Sequence, residues 1–299
     1  MDALQFELIA TIPAQCELGE GPVWDGRIGV LWFTDIQQSK LLSLEWPSRK
    51  LSSFDVPERL GSLGLTPDPE RLVCALASGF AWFEPHSGKC SWISRTEPQY
   101  QGIRMNDGRV DRAGRFWAGS MVERRELSAG RGGALYRLDS GTGRGPEILF
   151  GGFSISNSIC FSPSGDQLYF ADTPTREIRV FDCNPETGAL GNSCRFAAPD
   201  GPGSPDGSDV DAAGRLWNAE WGSGQVTVYQ IDGSVLARVV LPVSQVTCIA
   251  FGGDSYDTLF VTTAREGLSA EQLEREPQAG DVFIYRTNAR GLPATPFAG

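Results

Sequence analysis

A pattern that recurs six times along the 299 residues constrains this chain more than any single motif. Each copy has a short polar-led segment, a turn rich in Gly, Pro, Asp or Ser, and an aliphatic-aromatic segment. The copies are GEGPVWDGRIGVLWFTD (Gly19–Asp35), SLGLTPDPERLVCAL (Ser62–Leu76), NDGRVDRAGRFWAGS (Asn106–Ser120), NSICFSPSGDQLYFAD (Asn157–Asp172), DGSDVDAAGRLWNAE (Asp206–Glu220) and TCIAFGGDSYDTLFVTT (Thr247–Thr263). Their leading polar residues, Glu20, Ser62, Asn106, Asn157, Asp206 and Thr247, step by 42, 44, 51, 49 and 41 residues. A period of about 40–50 residues with several strands per copy is the sign of a β-propeller.

Most copies are followed by a second hairpin of alternating polar and apolar residues, as in Gly133–Phe150, Arg176–Phe196 and Gly224–Leu241, the last with Asp232-Gly233 as its turn. Two strands in the copy and two in the hairpin make a four-stranded blade. The expected fold is therefore all-β, a six-bladed β-propeller with four-stranded blades, with residues 1–299 forming a single domain. The last unit, ending at GDVFIYR, lacks one outer strand, and Phe6–Ile12 is predicted to supply it and close the ring. One helix is predicted over Leu268–Glu276, with Ser269 and Gln272 spaced as a capping box.

In a propeller the innermost strands line a channel, so the six leading residues are expected to form a ring there. All six are polar, and four carry carboxylate or carboxamide oxygens. Taken singly, each suits a strand start, where such side chains bond to nearby backbone. Together, two carboxylates and two carboxamides at a narrow mouth need compensation. One divalent cation on Glu20, Asn157 and Asp206 supplies it. Hard oxygen donors suit Ca²⁺, Mg²⁺ or Mn²⁺, with Zn²⁺ and Fe²⁺ less favoured by ligand type.

Other chemistries are excluded by what is missing. The single His86 lies in EPHSGKC and reads as a hairpin turn, so neither a Ser-His-Asp site nor a two-imidazole zinc site can be built. There is no G-x-S-x-G elbow, P-loop or G-x-G-x-x-G, and the glycine-rich stretches Gly130–Ala134 and Gly201–Gly207 read as turns. With 26 basic against 37 acidic side chains the net charge is −11, which disfavours nucleic acid and anionic membrane as partners. Seven scattered Cys without a C-x-x-C pair, and a start without a basic leader, lead to the expectation of reduced thiols in a cytoplasmic protein. A monomer or small homo-oligomer is expected.

The chain resembles the regucalcin, or senescence marker protein, family, which includes the gluconolactonases and related sugar lactonases. The resemblance is carried by GEGPVWD (Gly19–Asp25), RMNDGRVDRAGRFWAGSM (Arg104–Met121), ISNSICFS (Ile155–Ser162), PDGSDVDAAGRLWNA (Pro205–Ala219), FGGDSYDTLFVTTAREGL (Phe251–Leu268) and the ending FAG. It implies a six-bladed propeller with one divalent metal at the channel mouth. The metal ligands would be Glu20, Asn157 and Asp206, the substrate contacts Arg104 and Asn106, and the catalytic base Asp206. The implied reaction is metal-dependent hydrolysis of a sugar lactone, a pentonolactone or an acidic lactone among the candidates, to the aldonic acid. One departure stands out. Animal members carry a Glu where an ungapped alignment places Arg124, with Glu123 one position earlier; a basic residue there would favour an anionic substituent. The loops around Glu123, Arg124 and Trp221 are expected to decide specificity. A phosphotriester or other ester hydrolase on the same scaffold and a non-enzymatic calcium-binding regulator remain as alternatives. A WD-repeat scaffold does not, since no blade carries the Gly-His or Trp-Asp signature.

Overall fold

The two most similar repeats show how the sequence makes a blade. In the turn after the third inner strand, Asp111 Oδ1 accepts from the backbone N–H of Ala113 (2.9 Å) and Arg115 (3.0 Å), while Oδ2 accepts from Arg115 Nε (2.5 Å) and Trp117 Nε1 (2.9 Å). Asp211 repeats this two blades on, with Ala213, Arg215 and Trp217 at 2.9, 3.0 and 2.9 Å and Arg215 Nε at 2.6 Å. Gly114 and Gly214 take the left-handed conformation that closes each turn, at φ +82° and +80°. One buried carboxylate thus fixes the turn, orients the Arg and satisfies the indole N–H of a fully buried Trp.

The computed structural model describes residues 3–96, 102–141 and 145–299. After an N-terminal strand β1 (Phe6–Ile12), the first blade is β2 (Gly19–Asp25), β3 (Val30–Asp35), β4 (Lys40–Glu45) and β5 (Lys50–Asp55). The second is β6 (Leu60–Leu65), β7 (Leu72–Leu76), β8 (Gly79–Glu84) and β9 (Lys89–Arg95). The third is β10 (Ile103–Val110), β11 (Phe116–Val122), β12 (Gly133–Leu138) and β13 (Glu147–Phe153). The fourth is β14 (Ser156–Phe161), β15 (Gln167–Asp172), β16 (Glu177–Cys183) and β17 (Leu190–Ala197). The fifth is β18 (Ser204–Val210), β19 (Leu216–Trp221), β20 (Gln225–Tyr229) and β21 (Val235–Val240). The sixth has β22 (Val246–Gly252), β23 (Thr258–Thr263) and β24 (Val282–Thr287), with β1 as its fourth strand in the order β1-β24-β23-β22.

All six sheets are four-stranded, antiparallel meanders, and the inner strands β2, β6, β10, β14, β18 and β22 pack side by side in a closed circle. This is the six-bladed β-propeller expected from the repeat. The predicted closure by Phe6–Ile12 is present: Phe6 pairs with Thr287 and Thr11 with Phe283. It is fastened by Phe6, whose ring meets Trp217 of the neighbouring blade edge-on at 5.7 Å. Apolar side chains fill the seams between blades, for example Trp217 on Phe251 (5.1 Å) and Trp24 stacked on Phe260 (5.4 Å).

Smaller expectations fare unevenly. The helix forms as α1 (Ala270–Arg275), inside the predicted span, with the Ser269–Gln272 capping box in place. His86 is exposed in the turn between β8 and β9. Both glycine-rich stretches read as turns are partly strand: Gly133 and Ala134 open β12, and Ser204–Gly207 open β18. Pairing to a neighbouring strand claims their backbone, which local composition does not reveal. The tip of the Gly133–Phe150 hairpin at 142–144 lies outside the described residues. The seven cysteines are free, with Cys194 exposed, Cys90 half-buried and five buried. Among the described residues no helix is long and apolar enough to cross a membrane.

Candidate functional site

The ring residues are presented by a defect shared by all six inner strands. Glu20 pairs with Thr34 and Val23 with Trp32, so Gly21 and Pro22 together oppose Phe33. The same one-residue gain occurs at Asn106-Asp107, Ser158-Ile159 and Asp206-Gly207, and at Gly61 and Thr247 in the other two blades. A bulge re-aims the side chains around it, and six at one level give the channel a polar collar. Gly207 shows how tightly the collar packs. A Cβ there would lie 2.2 Å from Cys248 Sγ, so β18 and β22 approach at backbone distance beside Asp206.

Glu20, Arg104, Asn106, Asn157 and Asp206 are all at most 8% exposed. The Glu20 and Asp206 carboxyls are neighbours whose charges repel, and Glu20 also accepts from the N–H of Gly21 at 2.9 Å. Asn157 Oδ1 accepts from Asn106 Nδ2 (3.1 Å), and Asn157 Nδ2 donates to Thr173 Oγ1 (2.8 Å). Thr173 Oγ1 in turn donates to the carbonyl of Pro205 (2.9 Å), the residue before Asp206. Arg104 Nη1 donates to Asn106 Oδ1 (2.7 Å). The predicted residues are therefore brought together, with Glu20 beside Asp206 and Asn157 bonded to Asn106 and, through Thr173, to the backbone entering Asp206. Arg104 is buried.

Supporting carboxylates hold the approach to two of them. Asp35 accepts from the N–H of Glu17 (2.8 Å) and Leu18 (3.1 Å), just before Glu20. Asp172 does the same for Ser154 (3.1 Å) and Ile155 (2.9 Å), just before Asn157. Of the remaining ring residues, Thr247 Oγ1 donates to Gly19 O, and Ser62 Oγ has no hydrogen-bond partner among the described residues.

The electrostatics are those of an overcrowded acid cluster. Burial, then the Asp107 charge, push Glu20 up to about 8 despite the Gly21 N–H, Arg104 and Arg109. Burial, Glu20 and Asp107 likewise raise Asp206 above the usual carboxylate range. Asp107 is itself raised by burial, although Arg109 and the N–H groups of Ile159 (2.7 Å) and Gly108 (2.8 Å) oppose that shift. Three buried acids face two arginines, so a proton or a cation must balance the site.

Of Glu123 and Arg124, the two residues at the position where the ungapped count departs from animal members, Glu123 is the one joined to Arg104. Glu123 turns inward and accepts from Arg104 Nε (3.2 Å) and both Nη atoms of Arg59 (2.5 and 2.9 Å). Arg124 is exposed and begins the short 3₁₀ turn Arg125–Leu127. Trp221 is partly buried against Leu18, Ile36 and Ala264. Asp107, Arg59, Gln37, Glu266 and Thr173 were not foreseen. Asp107 had a signal, being adjacent to Asn106, but strand alternation points it away and only the bulge brings it in. Gln37, Thr173 and Glu266 follow the second strand of their own blades and Arg59 precedes the first strand of the second blade, all in loops that carry no repeat.

With the site described, its kinship can be stated. Residues 18–265 match the SMP-30/Gluconolactonase/LRE-like region, and the chain belongs to that family. It is 39% identical over 283 residues to the L-arabinolactonase of Azospirillum brasilense, covering 94% of this chain and 92% of that one. It is 35% identical over 284 residues to the 6-deoxy-6-sulfogluconolactonase of Pseudomonas putida, covering 94% and 95%. Among solved structures, the calcium-binding protein regucalcin from Agrobacterium tumefaciens superposes with a TM-score of 0.90 at 31% identity, covering 98% of each chain.

Proposed function

We propose that this protein is an enzyme that hydrolyses a sugar lactone to its aldonic acid, with one divalent cation held by Glu20, Asn157 and Asp206. The observation that carries this reading is the pair of buried, mutually repelling carboxyls of Glu20 and Asp206, with the Asn157 carboxamide in the same hydrogen-bonded collar. The donor set offered by Glu20, Asn157 and Asp206 is two carboxylates and one amide oxygen. Such a set fits an oxygen-seeking ion such as Ca²⁺, Mg²⁺ or Mn²⁺, with solvent completing the shell. When bound, the ion supplies Lewis-acid polarisation of the lactone carbonyl and acidifies water.

The chain's own groups do the rest. Asp206 would take the proton of the attacking water and return it to the ring oxygen, which departs as an alcohol. Arg104 Nη2 makes no hydrogen bond to the described residues and is available to the substrate, while Nε and Nη1 are anchored on Glu123 and Asn106. Asn106 is locked by Ser156 O (2.9 Å), Asn157 and Arg104, so the polar wall meets the lactone pre-organised. The names of the two lactonase relatives support this reaction class.

The test is a panel of aldonolactones and organophosphate esters, assayed with chelator and with added Mg²⁺, Mn²⁺, Ca²⁺, Zn²⁺ or Fe²⁺. Cation-dependent lactone opening is expected; turnover of phosphotriesters alone contradicts it. A purely cation-binding role, which the regucalcin neighbour's description favours, requires inactivity on the whole panel with every ion.

Stability should report the same site. Without cation, the folded chain keeps a Glu20 proton that the unfolded chain releases near 4.5, its ordinary value. The unfolded state therefore binds fewer protons between about pH 4.5 and 8, and stability falls as pH rises through that window, by an order of a few kcal/mol. The melting temperature of chelated protein is expected to drop from pH 5 to pH 8, and a divalent ion to restore more at pH 8. A Glu20→Gln variant should flatten the profile; the same pH slope in that variant would contradict the assignment.

A further inference from the structure

Arg109 lies on β10, three residues past Asn106 and so one level below the collar. Its guanidinium reaches across the channel. Nη2 donates to Ser208 O on β18 (2.7 Å) and Nη1 to Pro22 O on β2 (3.5 Å). β2, β10 and β18 are alternate members of the ring of inner strands, in the first, third and fifth blades. A group carried by one of these strands and bonded to the other two stands near the channel axis rather than against one wall. Pro22 and Ser208 follow Glu20 and Asp206 by two residues, Pro22 within the bulge of β2 and Ser208 at the end of the bulge of β18. Arg109 is therefore tied to the backbone that presents two of the cation ligands.

Its surroundings keep this charge in place. Asp209, three residues past Asp206, stands at the same level. Burial acts to lower Arg109, but the facing charges, Asp209 foremost, hold it above its ordinary value. Arg109 in turn draws Glu20 and Asp107 downward against the effect of their burial. Beside Arg109 is a cavity of about 40 Å³ lined by Val23, Leu65, Cys160, Asp209 and Ala250. It has room for a water or a bare ion and none for a sugar ring. The buried Nε of Arg109 has no partner among the described residues. The C-terminal tail crosses the far end. Arg290 O and the Gly291 N–H bond to Ala212 and Tyr256 in the fifth and sixth blades, and the Phe297 and Ala298 N–H groups bond to Leu65 and Gly114 in the second and third.

The Pro22 and Ser208 carbonyls and the Asp209 carboxylate are oxygen donors of the kind a second hard cation would take. We propose that Arg109 is a tethered counter-cation that fills this inner position and limits the channel to a single divalent ion. The inference deepens the reading of one cation on Glu20, Asn157 and Asp206, and rests on it. Its basis is repulsion. A guanidinium is always charged, and inside the channel its field on a second ion is little screened. Its N–H groups also occupy the two carbonyls.

The experiment titrates chelator-treated protein with Mn²⁺ alone. Native mass spectrometry counts bound ions. Mn²⁺ EPR separates two neighbouring ions, whose spins broaden each other, from one channel ion plus others on the acidic surface. The wild type is expected to hold one ion in the channel at saturation. Arg109→Met, and Arg109→Gln should the first fold poorly, are expected to hold two and to give the broadened signal. Arg109→Lys keeps the charge and should stay at one. A wild type that already holds two neighbouring ions, or Met and Gln variants that stay at one, would overturn the inference while leaving cation-dependent lactone hydrolysis standing. Two ions in the Lys variant would overturn it as well, because charge would then not be what excludes the second. A wild type that holds no Mn²⁺ removes the underlying reading, and this one with it.

Discussion

Asp206→Ala is expected to lower kcat/KM for lactone opening by about a thousandfold or more, since it removes a proton acceptor and a cation ligand in one step. The same change should not destabilise the fold. Asp206 is buried beside Glu20 and Asp107, and its charged form is disfavoured there by burial and by both neighbours. Removing it relieves that repulsion, so the melting temperature of the chelated variant should equal or exceed that of the wild type. Loss of activity with stability retained distinguishes a group kept for chemistry from one kept for structure. A variant with near-full turnover would take Asp206 out of the reaction.

Asp211→Ala should do the reverse. Its carboxylate is fully buried and receives two backbone N–H groups, Arg215 Nε and the indole of Trp217, itself fully buried. Truncation strands the Arg215 charge and the indole donor, at a cost of about 3–5 kcal/mol. The equivalent Asp111→Ala should behave alike, because Asp111 makes the same four contacts. Chemical denaturation measures the loss, and kcat/KM of the protein that remains folded should be little changed. A cost under 1 kcal/mol would mean that the turn is held by something other than this carboxylate.

These two aspartates also show what a sequence reveals of such a fold. DRAGRFWAG and DAAGRLWNA recur because each blade needs the same turn, and each residue in them has a local task. Blade number, strand number and the closing strand follow from that local repetition and from counting. The ring residues are legible for the same reason: equivalent positions in a repeat are equivalent in space. Glu20, Asn106, Asn157 and Asp206 do converge, with Arg104 buried against Asn106.

What stayed hidden depends on departures from the repeat. The bulge that turns Asp107 into the acid cluster breaks the two-residue period by which strand faces are assigned. The inward turn of Glu123 and the exposure of Arg124 occur where the strand β11 gives way to a 3₁₀ turn. Arg59, Gln37 and Glu266 meet only because three blades bring their loops to one rim. Nothing in their local sequence encodes that meeting, and no residue type among them is unusual for an exposed loop.

The most direct measurement is anomalous diffraction at the manganese edge from crystals grown with Mn²⁺. One peak is expected on the channel axis, within about 2.0–2.6 Å of carboxylate oxygens of Glu20 and Asp206 and of Asn157 Oδ1. A channel mouth without a peak at saturating Mn²⁺, or a lone peak on other residues, would contradict a cation shared by side chains from three blades.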